Sequence, residues 1–161
     1  MWIFDLPPHE YYTFFAVLVR FGTLFAILPF FGDQSVPALV KIFLSFVITA
    51  VIYPVLVHTG DVVPADAVQW SSTAGGIVKV VIAEALFGVL MGFVARLIFM
   101  GIQMGADIAG TFMGFAAATQ FDPQAESQTG VISKFQVVLA TLIFLAMDGH
   151  HIMLNAVMNS F

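Results

Sequence analysis

The sequence predicts an all-α membrane protein built from about four long apolar helices or helical hairpins. Of its 161 residues 60% are hydrophobic and 9% charged, and the mean hydropathy is +1.00. A soluble domain carries about a quarter charged residues because its surface has to be wetted. Five basic and ten acidic side chains cannot cover a globule of this length. Four apolar stretches approach or exceed the roughly 20 residues that cross a bilayer as a helix; they lie at residues 11–31, 42–57, 77–118 and 131–161, with a polar loop at 119–130. Together they read as one helical membrane domain over residues 1–161. Cysteine is absent, which removes disulfide scaffolds, thiolate metal sites and cysteine nucleophiles together. A net charge of −5 offers no basic patch for phosphates, so the composition argues against nucleic acid and for membrane lipid as a partner.

The first run follows MWIFDLPPHEYY, which puts Asp5 and Glu10 where a secretory signal needs Lys or Arg. It therefore reads as part of the mature protein. Arg20 lies in its middle. A central Arg opposes insertion by about 3 kcal/mol, while each Leu, Ile, Phe or Val returns roughly 0.3–0.6, so the segment still inserts and its charge must face protein or water. Pro29, Gly32 and Asp33 mark a turn before the second run, which contains Pro54 and is short for a straight span. Residues 58–76 then form a polar loop without a basic residue, which places it on the non-cytoplasmic side. The third region is the odd one: as a single helix, residues 77–118 would be about 63 Å long, twice the hydrocarbon thickness. Either it breaks near its glycines or much of it is covered by other protein chains outside lipid.

That region also holds most of the unusual residues. Gly88 with Gly92, Gly101 with Gly105 and Gly110 with Gly114 recur at i, i+4, a spacing that lets helices approach closely in lipid. Glu84, Arg96 and Asp107 join Arg20 as charges inside the apolar pattern. On a continuous helix Arg96 and Asp107 share one stripe about 16 Å apart, with Glu84 about 120° round from Arg96. Ionisable groups at membrane depth serve either an ion path or interchain salt bridges that fix an assembly, and the lack of an acidic ladder on the other helices favours the second. Next, Phe112, Met113, Gly114 and Phe115 run into Phe121, Asp122 and Pro123, where proline ends any helix. Phe and Met beside glycine can form a deformable seal; read locally, the last buried turns of a helix are the favoured account of them.

The last run meets Asp148-Gly149-His150-His151 and then an apolar stretch with no polar tail, so the chain reads as the N-terminal part of a longer protein. Adjacent histidines on a helix point about 100° apart and do not converge on one ion, which argues for a structural or interfacial pair and against a metal. No HExxH, GxSxG or phosphate-loop motif is present. Catalytic and cofactor-binding residues are therefore not expected, and the protein reads as no enzyme.

Three segments carry a resemblance: SVPALVKIFLSFVITAVIYP at 35–54, GVLMGFVARLIFMGIQMGADIAGTFMGFAAATQFDP at 88–123, and LIFLAMDGHHIMLNAVMNSF at 142–161. In order and spacing they resemble the FliR/SctT family of type III secretion export gates, and the GHH turn is more similar to the flagellar branch. The resemblance implies a subunit of the export gate in the bacterial inner membrane, at the flagellar basal body. There, family members join FliP and FliQ chains in a helical assembly around a path for unfolded export substrates, with FlhB and FlhA as further neighbours. It also implies that the plug loop closing the pore maps onto residues 113–130, with Met113, Phe115, Phe121, Asp122 and Pro123 at motif positions. A reading from another class is a small ion- or proton-coupled transporter using Glu84, Arg96 and Asp107.

Overall fold

In hydrocarbon every backbone N–H and C=O must find a partner within the protein, and this chain meets that demand with helices. The structure is a computed structural model and describes residues 8–28, 36–113 and 126–161. Its elements are α1 (Pro8–Ile27), α2 (Ala38–Thr59), a 3₁₀ turn (Pro64–Asp66) leading into the short α3 (Ala67–Ser71), α4 (Ala74–Phe112), α5 (Glu126–Ala146) and α6 (Gly149–Met158). No strand occurs among the described residues. By length and apolar composition α1, α2 and α4 can each cross a membrane, and α5 with α6 adds a fourth if that bent pair is one span. The all-α membrane architecture expected from composition is the one observed.

Two compact units divide the chain, one running up to Phe93 and taking in Met153–Phe161, the other Val94–Ile152. In the first, α1 supplies the core through Val17, Phe21, Leu24 and Phe25, with Leu28 directly after it. Against it α2 turns Ser45, Thr49, Tyr53 and Leu56, its buried residues. The two hydroxyls are satisfied within the helix, Ser45 donating to the Lys41 carbonyl and Thr49 to the Ser45 carbonyl, both at 2.7 Å. Small side chains whose polar atoms are already bonded let two helices close up in an apolar medium. Phe14 then meets Tyr53 and Phe46 edge-on, with centroids 5.5 and 5.8 Å apart, and the Tyr53 hydroxyl donates to the Glu10 carbonyl at 3.3 Å.

Pro54 removes one backbone donor without ending α2. The helix begins directly after Pro37 and stops at Gly60, whose φ of 85° is the left-handed cap that glycine adopts without strain. Past it, the polar stretch folds back on the start of α1: Ala67 is buried and Trp70 meets Tyr12 edge-on at 6.2 Å. A Cβ on Gly76 would lie 2.2 Å from the Trp70 carbonyl oxygen, so only glycine lets α4 start there.

Of the two ways to accommodate the overlong third region, breaking at its glycines is not the one taken. α4 is continuous over 39 residues, about 58 Å. In the second unit, Ala95, Phe99 and Ala106 form its buried stripe, and Phe99 meets Phe144 of α5 edge-on at 5.7 Å. α5 and α6 meet at a bend of 63°.

Candidate functional site: a charged clasp and an open helix face

An arginine in an apolar helix needs a counter-charge and donors' partners from the protein itself. Arg20, 4% exposed, finds them across the first unit. Its Nε donates to Glu84 of α4, and Nη1 donates to Ser160 Oγ at 2.9 Å. The Phe161 ring lies 3.5 Å from the guanidinium carbon and Phe87 5.1 Å. A flat cation over aromatic rings, with Nε and Nη1 each donating to an oxygen, is a geometry that suits guanidinium. The clasp thus fastens α1 to α4 and to the residues after α6.

Glycine brings α4 close enough for that pairing. A Cβ on Gly88 would stand 2.0 Å from Thr23 Oγ1 and 2.4 Å from the Arg20 carbonyl oxygen. On Gly92 it would stand 3.1 Å from Ile27 Cβ and 3.2 Å from the Leu24 carbonyl oxygen. The two backbones therefore touch along one turn of α4 beside the Glu84–Arg20 pair.

Beyond Phe93 the same helix presents a different surface. Among the described residues Gly101 and Gly105 have no heavy atom within 4 Å of an added Cβ, while Gly110 is buried. Arg96 and Asp107 are exposed in the isolated chain. The Asp107 carboxylate accepts from the buried hydroxyl of Ser133 on α5. Ile98 and Met104 are exposed among the large apolar side chains of this half. On both sides of Phe93 α4 is widely open: its most apolar window is only 11% buried inside the chain, and Ile82, Leu86 and Leu90 before Phe93 are exposed as well. The described helix and turn end on Phe112 and Met113, which are 87% and 67% exposed. Gly114, Phe115, Phe121, Asp122 and Pro123, the other residues of the expected seal, lie outside the described residues.

Sequence reasoning singled out each charge but not its pairing. Arg20 and Glu84 are separated by 64 positions, so helical periodicity cannot connect them. Ser160, Phe161 and Phe87 gave no signal beyond being polar or aromatic. The Ser45, Thr49, Tyr53 stripe was available at i, i+4, i+8, hidden because an otherwise apolar segment draws attention to its hydrophobic residues.

The pattern that defines bacterial export proteins, family 1, matches residues 11–161. Among curated proteins, the chain is 34% identical over 148 residues to the flagellar biosynthetic protein FliR of Pectobacterium carotovorum subsp. carotovorum, covering 92% of this chain and 53% of that protein. It is 28% identical over 159 residues to the protein of that name in Bacillus subtilis (strain 168), covering 99% and 56%, and 28% identical over 148 residues to the one in Escherichia coli (strain K12), covering 92% and 53%. The chain spans about half the length of the curated relatives it matches. No solved structure matches it significantly.

Proposed function

The chain belongs to the bacterial export proteins, family 1, and from that membership we propose that it is a structural and gating subunit of the bacterial flagellar type III protein export gate. Its work is to shape a pore for unfolded export substrates and to close it, without catalysis. The observation that carries this reading is α4: about 58 Å of apolar helix, longer than the roughly 30 Å hydrocarbon layer, with 11% of its most apolar window covered by its own chain. Lipid can cover part of that length; sister subunits are the natural cover for the rest. By resemblance these are FliP and FliQ chains, with FlhB and FlhA beside them in the inner membrane at the flagellar basal body.

The closing element is the apolar strip that begins at Phe112 and Met113 and continues through Gly114 and Phe115 to Phe121, Asp122 and Pro123. A ring of such side chains excludes water and ions by dewetting, and methionine's unbranched thioether lets it yield to a passing polypeptide. Deletion of residues 113–121 is expected to raise ion conductance across the membrane while the subunits still assemble. Unchanged conductance in an assembled gate would overturn the closing role.

No specific observation favours an ion-coupled transporter. Glu84 is already engaged by Arg20, and Asp107 is bonded to Ser133, so neither carboxylate is poised as a free carrier. Neutralising Arg96 or Asp107 should weaken subunit association, and neutralising Glu84 should loosen α1 from α4; a transporter would instead lose uptake.

A further inference from the structure

The corner between α5 and α6 gathers three groups able to ligate a cation. Asp148 makes the turn with φ 55°, a left-handed conformation that Asp adopts more readily than most residues. Its carbonyl accepts from the amides of His151 at 2.9 Å and Ile152 at 3.1 Å, so α6 winds directly out of it. A Cβ on Gly149 would stand 2.3 Å from the Phe144 ring; that ring, edge-on to Phe99, braces the corner. His150 and His151 both lie in the first turn of α6. The rings of His150 and His151 approach to 4.2 Å between centroids at 40°, and His151 Nδ1 lies 3.2 Å from Asp148 Oδ1.

One potential ligand atom from each of Asp148, His150 and His151 lies within 4.8 Å of the other two. Atoms bound to one cation at about 2.0–2.2 Å are about 3.5 Å apart, so the cluster has to close by about 1 Å. Asp148 and His151, with side chains 72% and 65% exposed, have room for that movement. A separate observation points the same way. His150 Nδ1 is withdrawn from solvent without a hydrogen-bond partner, an unfavourable state for a ring nitrogen that a bond to a cation would relieve.

We propose that Asp148, His150 and His151 form a binding site for a divalent cation of the Zn²⁺ class. Two imidazoles and a carboxylate suit such borderline ions, and water completes the four-coordinate shell. A cation held there joins the turn residue to the first turn of α6 and fixes the 63° bend.

The test uses the chain without a histidine tag, purified in mild detergent and titrated with ZnCl₂ against a chromogenic chelator. One Zn²⁺ per chain is expected, with affinity at least about tenfold weaker in Asp148→Asn, His150→Ala and His151→Ala and unchanged in His58→Ala. Absence of saturable binding, or equal affinity in the His150→Ala/His151→Ala double variant, would overturn the site. Should that variant fail to fold, X-ray absorption at the zinc edge of the unaltered chain decides. A shell with two imidazoles supports the site, and a shell of oxygen alone refutes it.

Discussion

Along α4 one sequence texture, glycines four residues apart among branched apolar residues, meets two environments. Before Phe93, Gly88 and Gly92 are filled by α1, and the local charge, Glu84, is spent on Arg20 of the same chain. After Phe93, Gly101 and Gly105 face open space and Arg96 is exposed. Spacing alone is therefore not a contact. In the first half the glycine face is covered by α1 while Ile82, Leu86 and Leu90 stay exposed; in the second half no described helix is seated on Gly101 and Gly105. A face of that kind is what the gate proposal assigns to sister subunits.

The sharpest way to break the contrast is at the clasp. Arg20→Ala leaves the mostly buried Glu84 without its cation, and losing one member of such a pair destabilises by about 3–5 kcal/mol. Reversible unfolding in mixed micelles should show this loss. The double variant Arg20→Met/Glu84→Leu should recover most of it, because an apolar pair of similar volume needs no counter-charge. A loss below about 1 kcal/mol for the single variant, as small as an exposed pair gives, would mean that the clasp does not fasten the first half.

Next in size is Gly88→Ala. Its methyl would press on a backbone carbonyl that cannot rotate away, an overpacking expected to destabilise by about 1–3 kcal/mol in the same assay. Gly92→Ala, with contacts starting at 3.1 Å, should lose less. Smaller still is Ser133→Ala, which removes the hydroxyl bonded to Asp107 and should lower stability by about 1 kcal/mol.

The last variant changes sign between assays. Gly101→Ala and Gly105→Ala should leave the isolated chain as stable or raise it by up to about 1 kcal/mol each, since alanine is the better helix former. In cells the same pair should reduce assembly of the gate, measured by co-purification of neighbouring subunits. If assembly is untouched, the second half of α4 faces lipid and not protein.

Hydropathy made the helices legible because the solvent acts on every residue of a span alike. Their ends were less so: an apolar run stops at its last apolar side chain, whereas a helix stops where its backbone is capped, as α2 does at Gly60. Of the candidate site, the identity of Arg20 and Glu84 could be read directly, since a charge in an apolar segment must be answered. Their pairing could not, because it depends on which helices touch. For the histidine pair the sequence argument considered ring directions along a helix, whereas the approach of His151 to the Asp148 carboxylate depends on a left-handed turn that periodicity does not show.

The clasp also constrains the order of events at birth. Glu84 follows Arg20 by 64 positions and Ser160 by 140. At synthesis rates of about 5–20 residues per second, Arg20 leaves the ribosome roughly 3–13 s before its counter-charge exists, and longer before Ser160. Through that interval the first helix carries an unanswered cation, which has to wait in water or at the insertion machinery. Its final seat in the membrane is fixed only when α4 arrives, so the earliest segment made is among the last to settle.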